Sequence, residues 1–448
     1  MAEQPRPQND GRRQFIKGAA LAGAGYWVAG GVSLAQENGA NDRIRFACIG
    51  IGGKGSSDSG DAARHGDVVA ICDTDKTRLK GAQGRFPKAK SYTDFRELFK
   101  AMGNEFDAVT VSTPDHTHAP ATMMALKKGK HAFTQKPMTH SIYEARVLGE
   151  VARENKLATQ MGNQGTSNSN LRKSAAIIQS GALGDVTEVH VWTNRPVWPQ
   201  GGDRPAEKDV PDSLDWNSWI GPANERPYGP GYHPFAWRGW WDFGTGALGD
   251  MACHTFNMPF MGLNLRDPTS VTAETSGHNK DSYPKWSVIT FEFPETDKRK
   301  GVKVVWYDGG KRPSADLFDG KGVSKTGSLI IGTKGKLHSE GDYGGGYKMI
   351  GVEEPKVEFV NSPGHFTEYA NAIKGGPEPV SNFPDYAGPL SETILLGNLA
   401  VYAAPDGKPQ KVEWDAKNLK VTNDNFEGVT VEQLQQIVKH DYREGWRL

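Results

Sequence analysis

The chain has 448 residues, with 53 basic and 53 acidic side chains and a net charge of zero. That length exceeds what one hydrophobic core organises, so two domains are expected. The balanced charge, with neither a basic stripe nor an acidic tail, argues against nucleic acid as a partner.

At the N-terminus Arg12 and Arg13 precede a weakly apolar Ala/Gly-rich run that ends near Leu34, and Ser33 and Ala35 make a small-residue cleavage site before Gln36. Arginine pair, apolar run and cleavage site in that order predict a twin-arginine-type signal over residues 1–35, of the kind read by the translocon that exports folded proteins. The expected destination is the periplasm. The run is too short and glycine-rich for a stable membrane span, although an uncleaved anchor stays open. The three cysteines, Cys48, Cys72 and Cys253, have no framework spacing. They predict a fold without disulfides, completed in a reducing compartment.

Arg43 to Ile49 is a dense apolar run ending in glycines, which predicts a buried parallel strand. A helix is expected over Ser57–His65, and a second buried strand, "DVVAICD", ends at Asp73. "SYTDFRELFKAM" has helical spacing, with Phe95, Leu98 and Phe99 on one side. A strand over Asp107–Pro114, a helix closed by Gly129, the short strand "HAFTQKP", an amphipathic helix "SIYEARVLGEVARENK" and the strand "LATQMGNQ" follow. Strand and helix alternate, which predicts a doubly wound parallel sheet, a Rossmann domain over residues 42–163.

Inside that domain Gly50-x-Gly52-x-x-Gly55 follows a strand and opens a helix. This is the dinucleotide fingerprint: a tight turn at Gly50 and Ile51, close approach of a pyrophosphate at Gly52, and close helix–strand packing at Gly55. The helix start offers free amide donors to phosphates. Asp73 ends the next strand, placed to accept bonds from an adenosine ribose and to repel a 2′-phosphate. NAD is the expected cofactor, with NADP open.

From residue 164 to 448 the pattern changes to strands joined by turns, among them "VTEVHVWTNRP", "WSVITFEFP", "GVKVVWYDGG" and "GSLIIGTKGKLHS". Several alternate in period two, which predicts an α+β domain on a largely antiparallel sheet with one free face. "HFTEYANAIKGG" and "LSETILLGNLAVYAA" are expected as closing helices. Several of the 12 tryptophans cluster between Trp192 and Trp241, within and beside a Pro/Gly-rich insertion long enough to be a lid or an interface arm. Arg195, Trp198, Trp237, Arg238, Trp240 and Trp241 are candidates for sugar contact, aromatic faces meeting the apolar face of a pyranose and arginines its hydroxyls. Core packing is the competing reading for each tryptophan. Asn163 and Gln164 lie where one domain hands over to the other, within reach of cofactor or substrate.

These features, with Thr113-Pro114 and His118 after the fourth strand and with Lys136-Pro137, resemble the glucose-fructose oxidoreductase / inositol dehydrogenase / rhizopine-catabolism family, from about Asn41 to the C-terminal "YREGW". Gln135 stands where that family usually has glutamate. The resemblance implies that Thr113, Pro114 and His118 lie by the cofactor, that Gln135 and Lys136 flank the nicotinamide, and that the Asp250/His254 pair of "GDMACHTF" is catalytic. On a helix that spacing puts both side chains on one face. "DHTH", Asp115 to His118, has metal-ligand types, but no further cluster completes a site and the family uses no metal there.

Oxidising a secondary alcohol needs a base, for which neutral His254 suits, and a cation at the developing alkoxide, for which Lys136 suits. The expected activity is an NAD-dependent oxidation of a sugar, polyol or glycoside by a homodimer or homotetramer that folds around its cofactor and is exported loaded. Two alternatives stand beside it: redox-neutral glycoside cleavage through a transient keto-sugar, and a non-catalytic sugar-binding protein of the same fold.

Overall fold

The computed structural model describes residues 43–320 and 322–448. The expected twin-arginine leader lies outside the described residues. Six strands form the first sheet: β1 (Ile44–Ile49), β2 (Gly66–Cys72), β3 (Lys90–Tyr92), β4 (Ala108–Val111), β5 (His131–Thr134) and β6 (Thr159–Met161). Their order is β3-β2-β1-β4-β5-β6, and every pair is parallel. Residues of β1 and β4 are buried on both faces, which is why they read as continuous apolar runs rather than alternations. The order reverses between β1 and β4, so a crevice opens beyond their C-terminal ends.

The stretch expected to be wholly helical from Ser91 is divided. Edge strand β3 takes Lys90–Tyr92, and the helix Phe95–Met102 starts after Asp94, whose carboxylate caps it by accepting from the Arg96 amide. Three residues are too few to show a period of two, so β3 left no signal. One face of the first sheet is covered by a distant segment. There the helix Lys54–His65 is joined by His365–Ile373, whose Phe366, Tyr369 and Ala370 pack with Phe46, Cys48, Ile71 and Phe133. The helices Phe95–Met102 and Ile142–Glu154 cover the opposite face, where Leu98, Phe99, Ile142 and Leu148 share a core with Ala47, Ile49, Val109 and Val111.

The second sheet has nine strands: β7 (Val186–Trp192), β8 (Ser270–Thr275), β9 (Ser287–Phe293), β10 (Val302–Tyr307), β11 (Gly327–Gly332), β12 (Lys336–Glu340), β13 (Gly346–Ile350), β14 (Gln410–Asp415) and β15 (Lys420–Val421). The order is β13-β12-β11-β7-β10-β9-β8-β14-β15, antiparallel except for β7 with β10. The run expected as one strand, "GSLIIGTKGKLHS", is the hairpin β11–β12. Val189, Val191, Ile289, Phe291, Val304 and Trp306 face one core with Leu390, Ile394, Leu395 and Leu399 of the helix Gly388–Tyr402. Burying each such side chain contributes about 1.5–3 kcal/mol. The opposite face carries Glu188, His190, Lys303 and Tyr307. Among the described residues no helix is long and apolar enough to cross a membrane.

Candidate active site

The glycine turn follows β1 and leads into the helix Lys54–His65. Gly50 has φ +74°, and a Cβ there would meet the backbone of Ser112 at 2.6 Å. At Gly55 a Cβ would collide with the Gly50 carbonyl oxygen. Only glycine fits either place. The turn opens into a cavity of about 480 Å³ that runs from β1 and β2 across to the second domain. Asp73, at the end of β2, lines it and holds the turn: Oδ2 accepts from the Ile51 and Gly52 amides at 3.0 and 3.2 Å, and Oδ1 from the Asp75 amide at 3.0 Å. Burial raises this carboxyl above its ordinary value, and the three backbone donors work against that rise. Oδ2 is filled by its two amides, and Oδ1, with one, keeps a second lone pair for a ribose hydroxyl. A cradle that admits no Cβ, a helix start without a side-chain cap and an acid at the end of β2 fit a dinucleotide.

A buried network joins this turn to β5. Asp58 accepts from Lys54 Nζ at 2.7 Å, Ser112 Oγ at 2.8 Å and Gln135 Nε2 at 2.9 Å. The amide at position 135 therefore has an electrostatic reason. A glutamate there would set a second carboxylate against buried Asp58, which already occupies the acidic place in the network. Lys54 lies inside the glycine turn and lines the cavity; its i,i+4 pairing with Asp58 was a readable helical signal.

Lys136 leaves the end of β5 and crosses to the second domain. Its Nζ donates to Asp250 Oδ1 at 2.8 Å and to the Asp250 carbonyl at 2.7 Å. Arg238 Nε donates to the same Oδ1 at 3.1 Å. Burial alone would raise the Asp250 carboxyl, but the charges of Lys136 and Arg238 outweigh it and hold the group below the usual carboxylate range. His254 sits one turn further along the helix Gly246–Thr255 and lines the same cavity. Burial first, then the charge of Lys136, pushes its pKa well below the ordinary value, so the ring is neutral. Its Nδ1 is buried without a partner, which leaves Nε2 as the nitrogen able to reach a ligand. The ring packs edge-on to Tyr343, centroids 4.7 Å apart.

The start of that helix is gripped from both domains. Carbonyls of Phe243 and Gly244 face His116 Nδ1 and His140 Nε2 at 3.1 and 3.0 Å, and Tyr283 and Asn398 donate to Gly244 and Thr245 carbonyls. Thr245 Oγ1 donates to Asp115 Oδ2 at 2.6 Å. Asp115 is buried, lines the cavity, and its carboxyl is pushed by burial up to about 7 despite Thr245, Arg238 and Lys136.

Gly50, Gly52, Asp73, Thr113, Pro114, Gln135, Lys136, Asp250, His254, Arg195 and Arg238 thus converge on one cavity, with Gln164 and Trp237. Other expected site residues do not line it. Ile51 spends its amide on Asp73, and Gly55 serves helix–strand packing. His118 is a brace rather than a contact: its ring nitrogens lie 2.8 Å from the Pro137 and Thr113 carbonyls, fixing the turns that carry Lys136 and Pro114. Asn163 is fully buried and accepts from Ser381 Oγ at 2.5 Å. Trp198 and Trp240 are buried with their indole N–H groups on Gln200 and the Gly231 carbonyl, and Trp241 stacks on Tyr283. Trp219, Trp237 and Trp240, with Trp216 packed against them, form a separate small core with Leu214, Tyr232 and Phe243. Among the described residues no group of three or more His, Cys, Asp or Glu is placed to hold a metal.

That small core supports the insertion as an arm. Its segment 212–215 pairs with the loop after β2: the Lys76 amide donates to the Ser213 carbonyl at 2.8 Å, and the Asp215 amide to the Thr74 carbonyl at 2.9 Å. Trp219, His233 and Pro234 of the arm line the cavity beside Arg78, Asp94 and Phe95.

Residues 44–163 match the Gfo/Idh/MocA oxidoreductase family, NAD-binding Rossmann fold, and residues 167–437 match the C-terminal alpha/beta domain of the same family. A glycosyl hydrolase family 109 protein of Shewanella pealeana is 31% identical over 137 residues, 27% of this chain and 29% of that protein. The chain thus spans less than a third of that relative's length. Among solved structures, the WlbA dehydrogenase of Bordetella pertussis in complex with NADH and UDP-GlcNAcA superimposes with a TM-score of 0.59 at 18% identity, covering 84% of this chain and all of that one (100%). An inositol dehydrogenase homolog of Azotobacter vinelandii with NADH and myo-inositol gives 0.56 at 16% identity, covering 84% and 98%. At such identities the likeness is one of fold.

Proposed function

The chain belongs to the Gfo/Idh/MocA oxidoreductase family, with an NAD-binding Rossmann domain, and from that premise we propose that it oxidises a secondary hydroxyl of a sugar, polyol or glycoside with tightly held NAD. The observation that carries this reading is the meeting of Lys136, Asp250 and His254 in the cavity into which the glycine turn opens. Bound NAD supplies the acceptor for the hydride leaving the carbinol carbon. Neutral His254 takes the hydroxyl proton at Nε2. Lys136, fixed by two bonds to Asp250, faces the same oxygen and stabilises its developing charge. Asp250, kept ionised by two cations, accepts from a neighbouring hydroxyl.

Tight retention is supported by the arm. In doubly wound folds the adenosine half of a dinucleotide lies near the end of β2, and here segment 212–215 is hydrogen-bonded across the loop that follows β2. Release of the cofactor then requires the arm to lift. We read the leader as exporting the loaded protein to the periplasm by the twin-arginine route, where the hydride is returned to a second sugar or to the same one. The polar outer face of the second sheet is the surface for a homodimer or homotetramer. Native mass spectrometry of the purified protein, with absorbance in the reduced-nicotinamide band before and after adding sugars, tests the reading. Nucleotide should co-purify and the band should rise with no NAD added. Protein that carries no nucleotide, and shows no band with added NAD and a broad sugar panel, refutes it.

A second reading, redox-neutral glycoside cleavage, is favoured by Asp115. This acid lines the cavity and its pKa of about 7 keeps a proton near neutrality. Once a keto-sugar forms, a base removes the acidified neighbouring C–H proton, the bond to the leaving oxygen breaks, and Asp115 protonates that oxygen. Water then adds, and the hydride returns, so the net reaction is hydrolysis. Release of aglycone without any added acceptor distinguishes it.

A further inference from the structure

Two aromatic side chains stand out as exposed among the described residues, Phe235 at 48% and Tyr343 at 43%. A single exposed apolar residue means nothing, because much of any protein surface is apolar. These two come from separate loops more than a hundred residues apart, and both line the active-site cavity.

Each ring is supported on one side and open on the other. Phe235 packs edge-on against Trp198, centroids 6.1 Å apart, and the Arg238 guanidinium lies 4.9 Å from its ring centre. The Phe235 carbonyl also accepts from Arg238 Nη1 at 3.1 Å. Tyr343 packs against His254, and its loop lies flat on the 3-10 turn Gln164–Ser167, where a Cβ on Gly165 would touch the Tyr343 carbonyl at 3.2 Å. Arg238 holds Asp250, and His254 is one turn on along the same helix. Phe235 and Tyr343 therefore flank the two ends of the face that carries the chemistry.

We infer that Phe235 and Tyr343 form an outer subsite for a second ring, so that the substrate is a glycoside or oligosaccharide rather than a free monosaccharide. Flat aromatic faces left open beside a sugar-oxidising centre match the apolar face of a pyranose joined through a glycosidic bond. This inference rests on the sugar reading above and names its substrate class.

Binding, which needs no turnover, tests it on the holoprotein by calorimetry. The probes are glucose, methyl glucoside and cellobiose, and galactose, methyl galactoside and lactose. In at least one series the disaccharide should bind about tenfold more tightly than its methyl glycoside. Phe235→Ala and Tyr343→Leu, the latter keeping bulk against His254, should each remove most of that advantage and leave the methyl glycoside unchanged. No disaccharide preference in either series overturns the inference, as does equal weakening of both ligands. Loss of NAD from Phe235→Ala overturns it too, because the ring then covers the cofactor. If the disaccharide preference and its loss hold but no probe reduces the bound NAD, the oxidation reading fails and the subsite stands.

Discussion

At its cofactor end the cavity is centred on one continuous strand, turn and helix, Ile44 to His65, with the ends of β2 and β4 beside it, and the turn is shaped by glycines that no other residue can replace. At its substrate end it is made from Lys136, Arg238, Asp250 and His254, which come from separate segments of both domains and are held by charge. The first end is fixed by backbone sterics, which are local and all-or-none. The second is fixed by an ion-paired cluster whose members compensate one another, so its chemistry is adjustable while its position is not. The helix Gly246–Thr255 reconciles the two, because Rossmann-domain residues grip its first turn.

The largest effect should come from the substrate end. His254→Ala should lower turnover by about 10²–10⁴-fold with NAD still bound. Stopped-flow reduction and cofactor content measure the two separately, and loss of NAD would show that the ends are not independent. Gly50→Ala should do the reverse. Its strain, roughly 1–3 kcal/mol, should lower the melting temperature and empty the cofactor site. A variant that retains NAD at full occupancy would break the steric account of that end.

Gln135→Glu sharpens the boundary between the two ends. A carboxylate against buried Asp58 loses a hydrogen bond and adds repulsion, roughly 1–3 kcal/mol. Both the melting temperature and NAD affinity should fall, and Asp58→Asn in the same protein should restore part of each. Unchanged stability in the single variant would remove the electrostatic reason for glutamine.

The smallest effect concerns Asp115. Its folded pKa, about 7, lies above the ordinary carboxyl value, because burial outweighs Thr245, Arg238 and Lys136, with Asp250 adding to the rise. Between about pH 4 and pH 7 the unfolded chain therefore loses this proton first, and the Asp115 contribution makes stability fall as pH rises through that window. Asp115→Asn should flatten that slope in melting curves. In the glycoside-cleaving reading it also removes an alkaline limb of activity near pH 7; in the simple oxidation reading the profile stays unchanged. On the acid side His254, with its lowered pKa, should keep activity to well below its ordinary value.

The same contrast explains what the sequence disclosed. Gly50, Gly52, Gly55 and Asp73 were legible because strand, turn and helix are adjacent in the chain and the spacing itself carries the mechanism. Lys136, Asp250 and His254 were reachable only through the family resemblance, since nothing local says that residues more than a hundred positions apart share a cavity. Asp115, Phe235 and Tyr343 went unnoticed as site residues for the same reason. For Trp198, Trp240 and Trp241 the sequence leaves sugar contact and core packing level, because an aromatic residue in a loop gives no sign of which it faces. The structure buries all three, Trp240 in the arm's small core and Trp241 against the main one. Strand β3, too short for a period, was absorbed into the neighbouring helix.

The central claim is that Lys136 and His254, one from each domain, act on a single oxygen. A double-mutant cycle on the single-turnover reduction of bound NAD tests it most directly, using the best substrate from the sugar and glycoside panel. Groups acting as a unit lose most of their effect together. Lys136→Ala combined with His254→Ala should therefore be about as slow as the worse single variant. Rate losses that multiply, or a double variant as fast as the unaltered protein, would contradict the account.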